Sequence, residues 1–341
     1  MASAIEIIGA TIGAMETDFD NRMPAVEIEN ISQIGQYITS SKNVMNDFVT
    51  TLINKVAVSN LVSKLYKNPL EKLKSGQGKP FGSTIEEVFV NPNTDMGYQK
   101  DGALLLKTFT PDGKSAYYGL NRQGEYATSI QVDQLTQAFH DERSFNNFYN
   151  GIISALYSGD SVDEFDLTKK MFGKNIDDGH ILTVEVELSK PKEIAKAITN
   201  FGDYFTFENT KYNGYNLVNS AKITAGEKPV KTFTPASEQA LLIRSDVMNE
   251  INYEVLASMF HMEVAELKQM TVKVDSFLSK NHNVYAVLVD VNALNIIDKV
   301  FETDTFYNGA NRVFNIFLHH WQWIYLSMFG NCVAFIEKES A

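Results

Sequence analysis

The amino-acid sequence predicts an α+β fold on three observations. Some stretches repeat apolar residues every three or four positions, others alternate with period two, and between them runs a turn-rich segment too polar to bury itself. With 341 residues the chain can bury a substantial core, divided into two or three subdomains. In chain order, residues 1–43 are short apolar groups punctuated by Gly, Asn and Ser, and read as an extended arm with weak local structure. Val44, Phe48, Leu52 and Val56 then recur every fourth residue, the stripe of an amphipathic helix. Pro69, Gly76, Gly78, Pro80 and Gly82 forbid its continuation, and "TIEEVFV" reads as a strand. From there to Ile130, turn signals at Met96-Gly97, Asp101-Gly102 and "TPDGK" (110–114) separate short aromatic or β-branched runs. A long β excursion of this kind is a contact arm or a functional loop, because it has little apolar surface to bury on itself.

Residues 132–172 turn helical. Phe145, Phe148, Tyr149, Ile152, Ile153, Leu156 and Tyr157 fall at spacings of three and four, with Ser144 as N-cap and a run extending through Phe165. "HILTVEVEL" (180–188) alternates as a strand, and Pro191 to Ile198 begins another helix. A polar, Gly- and Asn-rich region follows, then an "ALLI" strand, short helices from Tyr253 to Leu267, and the strands "MTVKV" and "VYAVLV".

The stretch "NIFLHHWQWIYLSMFGNCVAFI" (315–336) has the length of a membrane span and carries no formal charge. Its polar residues Asn315, His319, His320, Gln322 and Asn331 are spread where hydrocarbon would penalise them. With period two, Phe314, Ile316, Leu318, His320, Gln322, Ile324 and Leu326 share one face, so two strands broken at Gly330-Asn331 are expected. The adjacent His319 and His320 then point to opposite faces and serve as packing, since neighbouring strand residues cannot chelate one ion together.

Composition narrows the function. The net charge of −12 opposes a surface built to neutralise phosphates. The single Cys332 excludes an intramolecular disulfide and a multi-cysteine zinc site, and suits a reducing compartment. The N-terminus lacks the positive flank of a secretory signal. "GQGKPFG" (76–82) fails as a phosphate loop, because Leu73 and Pro80 stand where a Gly and a hydroxyl belong. Asp160, Asp163, Glu164 and Asp166 lack calcium-loop spacing and read as a solvated helix face. There is no nucleophile elbow, and Cys332 lies in an apolar run. No catalytic residue, cofactor or metal is therefore expected.

Seven segments, in one order, carry a resemblance. They are "NDFVTTLINKV" (46–56), "NPLEKLKSGQGKPFGSTIEEVFV" (68–90), "LNRQGEYATSIQVDQLTQAF" (120–139), "FYNGIISALYSGDSVDEFDL" (148–167), "YEVLASMFHMEVAELKQMTVKVDSF" (253–277), "AVLVD" (286–290) and "HHWQWIYLSMFGNCVAFI" (319–336). Together the chain resembles the major capsid proteins of small, short-tailed phages of the phi 29-like group. The resemblance implies the Hong Kong 97 capsid fold: an N-terminal arm (1–45), an N-terminal helix and E-loop (46–130), a peripheral domain with a long spine helix (131–190), an axial domain (191–298), and returning peripheral strands (299–341). The segment 205–233 matches poorly, and the immunoglobulin-like domain that some members carry is not expected here.

What the resemblance implies about function is a structural protein, not an enzyme. It self-assembles through pentamers and hexamers into a virion shell enclosing double-stranded DNA without specific binding, made in the host cytoplasm with scaffolding and portal proteins, and touches no membrane. The E-loop would lie over a neighbouring copy, with Lys72, Lys74, Lys79, Phe81, Glu86 and Glu87 as inter-subunit contacts. A cargo-enclosing compartment shell is an alternative with the same fold. A soluble hydrolase using the acidic cluster near Asp163 with His180 is another.

Overall fold

The computed structural model describes residues 3–15, 26–52, 68–74, 76–77, 82–93, 95–97, 107–259, 261, 264 and 270–338. The chain forms two compact units: residues 1–68, 122–164 and 298–322 make the first, and 69–121, 165–297 and 323–341 the second.

The first unit is mainly helical. Helices α1 (Ala4–Ala14) and α2 (Ile31–Ser40) occupy the stretch expected to be extended, and α3 (Lys42–Thr51) is the helix expected from Val44. Ser3 opens α1 with a capping box, its hydroxyl accepting from Glu6 N while Glu6 accepts from Ser3 N. Ile31, Ile34 and Ile38 then supply the buried stripe of α2. That spacing of three and four is a helix signal which the intervening Gly and Ser obscured. The remainder of the predicted helix, to Val56, lies outside the described residues.

These helices share one core with α4 (Val132–Ala138) and α5 (Glu142–Ile153), through Ile8, Ile34, Phe48, Leu135, Phe145 and Tyr149. Burying each such side chain contributes about 1.5–3 kcal/mol. The cap of α5 is Asp141, whose carboxylate accepts from Ser144 N, so Ser144 is inside the helix rather than its N-cap. A π-helical turn, Ser154–Ser158, joins α5 to α6 (Gly159–Asp177), completing the long helical run expected here.

The second unit is built on a five-stranded sheet. Its strands are β4 (Leu182–Val186), β5 (Gln239–Arg244), β6 (Thr271–Val274), β7 (Val284–Asp290) and β10 (Cys332–Glu337), in the order β4-β10-β7-β5-β6. β10 runs parallel to β4 and antiparallel to β7, and β5 runs parallel to β6. Every residue of β7 is buried. Val287 and Val289 join Phe172 and Ile176 of α6 in one apolar cluster, while Ala286 and Leu288 join Ile194 and Ile198 of α7 (Pro191–Thr206) in another. A sheet covered on both faces explains the unbroken apolar run of that strand.

Three further strands are β3 (Arg122–Gln131), β8 (Leu294–Asn308) and β9 (Val313–Leu326), with β9 lying between β8 and β3. β9 and β10 are the two strands expected within 315–336. Burial along β9 alternates from Phe314 through Gln322 in the register read from the sequence. Among the described residues no helix is long and apolar enough to cross a membrane.

Candidate assembly surface

The turn-rich excursion folds as a two-stranded hairpin in the second unit. β1 (Thr84–Val90) pairs antiparallel with β2 (Gly113–Gly119), placing Glu86 opposite Tyr117, Val88 opposite Ser115 and Val90 opposite Gly113. An isolated hairpin is marginal in water. This one is supported along its inner face by residues 323–329. Tyr118 stacks on Tyr325 at 3.9 Å between ring centroids, and Phe89 on Phe329 at 5.4 Å. Ser327 Oγ donates to Glu87 at 2.7 Å, and Met328 N donates to Tyr118 Oη at 2.9 Å. Burial pushes the Tyr118 hydroxyl well above its usual pKa, so it stays a neutral partner.

Both ends of the hairpin are tied as firmly. Asn121 exchanges hydrogen bonds with the backbone of Ile324, at 2.6 and 2.9 Å. Asn91 bridges Asp112, Pro229 O and Lys231 N. Lys114 donates to Glu227 at 2.8 Å, a bond that holds its ammonium above the ordinary lysine range.

The outer face is different. Val88, Val90 and Tyr117 are 62%, 53% and 64% exposed, in line across both strands, with the Tyr117 hydroxyl donating to Glu86. These three form an exposed apolar row on a face that the rest of the unit does not cover. The sequence reading missed these three; the signal was the alternation itself, since Val88 and Val90 share a face with Glu86 while Ile85, Glu87 and Phe89 take the other.

The predicted contact residues separate accordingly. Glu86 is on the outer face, whereas Glu87 is turned inward to Ser327 and belongs to the support. Lys74 is half-buried after a short 3₁₀ turn, Glu71–Leu73, that contains Lys72. Lys79 and Phe81 lie outside the described residues.

In the first unit, the acidic cluster read as a solvated helix face is partly buried. Counting four residues at a time, Asp160 and Glu164 continue the buried stripe of Ile152 and Leu156 and are each only 5% exposed. They meet Arg122 of β3, Asp298 of β8, and His320 and Gln322 of β9. Arg122 Nη2 and His320 Nδ1 both bond Asp160, His320 Nε2 bonds Asp298 at 2.9 Å, and Gln322 Nε2 donates to Glu164 and Asp298. His320 is thus part of a charged network rather than simple packing, while His319 faces the other way, 3.5 Å from Asp304. Gly124 lies opposite His320, where a Cβ would come within 3.2 Å of His320 O and of the Tyr126 ring.

Asp163 accepts from Tyr126, and His180 bonds Asn175, so each residue of the hydrolase alternative already has a local partner. Cys332 is buried and its thiol is pushed far above the usual pKa, the condition of an unreactive core cysteine.

The sequence pattern of the Phi29-like phage major capsid proteins matches residues 8–336. The chain belongs to that family. It is 27% identical over 341 residues to the major capsid protein of Bacillus phage PZA, covering 99% of this chain and 74% of that one. Against the major capsid protein of Streptococcus phage Cp-1 it is 23% identical over 354 residues, covering 99% and 95%. Among solved structures, a chain of the Staphylococcus phage Andhra capsid superposes with a TM-score of 0.64 at 14% identity, covering 82% of this chain and 86% of that chain. A chain of native bacteriophage P68 does so with a TM-score of 0.58 at 12% identity, over the same shares. The α+β capsid fold expected from the sequence is therefore the fold of this Phi29-like capsid protein.

Proposed function

We propose that this chain is a phage major capsid protein that builds the head shell by associating with copies of itself through the outer face of the β1–β2 hairpin. The carrying observation is that Val88, Val90 and Tyr117 are exposed on a hairpin whose opposite face packs on Tyr325 and Phe329. A closed shell made from one chain needs surfaces that meet copies of themselves around rotation axes. A rigid strand pair with aligned apolar residues suits that task, because docking it costs little ordering entropy.

In this reading residues 46–130 are an N-terminal helix and the E-loop, between an arm (1–45) and a peripheral domain formed by 131–190 and 299–341, with 191–298 as the axial domain. Pentamers and hexamers are the assembling rings. Lys72, Lys74, Lys79 and Glu86 set register with the neighbour by charge, contributing little net affinity. A scaffolding protein and a portal take part in assembly in the host cytoplasm, and the product is the virion shell. The net charge of −12 supports a wall that encloses double-stranded DNA without gripping it.

Sedimentation of the purified protein, alone and with its scaffolding protein, tests the reading. Particles of megadalton size are expected, and a stable monomer under all such conditions overturns it. Double-stranded DNA inside particles recovered from infected cells separates a phage head from a cargo compartment.

A further inference from the structure

Five titratable or charged side chains converge inside the first unit. Arg122, Asp160, Glu164, Asp298 and His320 have side chains only 3%, 8%, 7%, 15% and 2% exposed. His320 stands between two carboxylates. Its Nδ1 lies 2.7 and 2.8 Å from the Asp160 oxygens, and its Nε2 lies 2.9 Å from Asp298 Oδ1. A neutral imidazole has one N–H, so it would satisfy one of these carboxylates and present a lone pair to the other. Only the imidazolium donates to both.

A metal ion is the rival occupant, since Glu164, Asp298 and His320 each offer an atom within 4.8 Å of the others. The donors already present argue against it. Gln322 Nε2 donates to both Glu164 Oε2 and Asp298 Oδ1, and Arg122 Nη1 lies 3.7 Å from Glu164 Oε2. An ion there would displace one amide donor from two carboxylates and sit beside a guanidinium.

We propose that a proton, not a metal, closes this cluster: His320 is held as an imidazolium that ties β9 to α6 through Asp160 and to β8 through Asp298, and raising the pH releases that tie. Every packed element contributes to its surroundings among the described residues. β3 brings Arg122 and Tyr126, the latter bonded to Asp163. α6 brings Asp160 and Glu164, with Glu164 also accepting from Asn68. β8 brings Asp298 and the Phe301 ring, which meets the imidazole edge-on at 4.7 Å.

Burial alone lowers the His320 pKa, and Arg122 opposes the charge as well, but the bonds to Asp160 and Asp298 outweigh both and the net shift is upward. The sign of the linkage follows. The stabilisation is complete below the ordinary histidine value of ~6.5 and is lost as pH rises through the higher folded-state value. The inference concerns the fold of the protomer and stands whether or not the chain builds a shell.

Histidine-selective 15N spectra of the intact chain provide the test. His320 is assigned in a variant whose other five histidines, His140, His180, His261, His282 and His319, are replaced by Gln. A titration midpoint above ~6.5 is expected, with both ring nitrogens protonated below it. A midpoint at or below that value overturns the proposal. Thermal unfolding gives a second readout: the melting temperature of the unmodified chain falls as pH rises through the midpoint, and His320→Asn loses that step. Matching pH profiles for the two chains would contradict the proposal, as would a rise in melting temperature on adding Zn²⁺. If His320→Asn does not fold, the spectra of the other chain decide.

Discussion

The outer face of the β1–β2 hairpin and the His320 cluster are opposite exceptions to the rule that apolar groups go inside and charges outside. The hairpin leaves Val88, Val90 and Tyr117 in solvent, while the cluster takes Arg122, Asp160, Glu164 and His320 out of it. Neither is tolerated without cause. Exposed apolar area on a supported face calls for a partner that the single chain does not supply. Buried charge calls for partners supplied from within, and here β3, α6, β8 and β9 each provide one. In the proposed reading the first region serves association and the second holds the protomer fold together. Substitutions should separate the two, since damage to the cluster is read in protomer stability and damage to the hairpin face in particle formation.

The largest expected effect is in the cluster. Arg122→Met strips the guanidinium from Asp160 and Glu164 and leaves three buried carboxylates facing one imidazolium, which should cost about 3–5 kcal/mol in denaturant unfolding of the protomer. A loss below about 1 kcal/mol would mean that the cluster is more hydrated than its burial indicates. Next comes the hairpin face. Val88→Asp combined with Tyr117→Asp should abolish sedimenting particles, since truncating central interface anchors commonly costs 2 kcal/mol or more of binding at each contact, summed over many copies. Its protomer melt should stay within about 0.5 kcal/mol of the unmodified chain, because neither side chain supports the core.

Ser327→Ala should fall between the regions in kind. It removes a hydroxyl that donates to half-buried Glu87 and loosens the support of the hairpin, costing about 1 kcal/mol of stability by unfolding. The smallest effect is expected for Tyr117→Phe, which keeps the exposed ring and loses only a solvent-facing bond to Glu86. Both the melt and particle yield should stay close to those of the unmodified chain.

Regular periodicity made much of this legible. The helix at 142–177, the strand at 84–90 and the two strands within 315–336 announced themselves by spacing, the strand at 284–290 by an unbroken apolar run, and the collinear segments identified the family. The N-terminal helices did not, because Ile31, Ile34 and Ile38 are set among Gly, Ser and Gln that resemble loop composition. The cluster was hidden for a related reason. Asp160 and Glu164 stand at helical spacing after Ile152 and Leu156, and His320 and Gln322 stand in the apolar row of β9, so the pattern placed them inside while their chemistry suggested outside. Arg122 could be matched to them only once strand pairing set Gln322 opposite it. The role of Val88 and Tyr117 was obscured because a half-exposed strand reads the same whether its open face meets water or a second copy.

The most direct test of the account is an electron cryomicroscopy map of the assembled particle at side-chain resolution. It should show the outer face of the hairpin, with Val88, Val90 and Tyr117, covered by a neighbouring copy of the chain. A particle in which those three side chains face solvent, with the copies joined elsewhere, would contradict the assignment of this face to assembly.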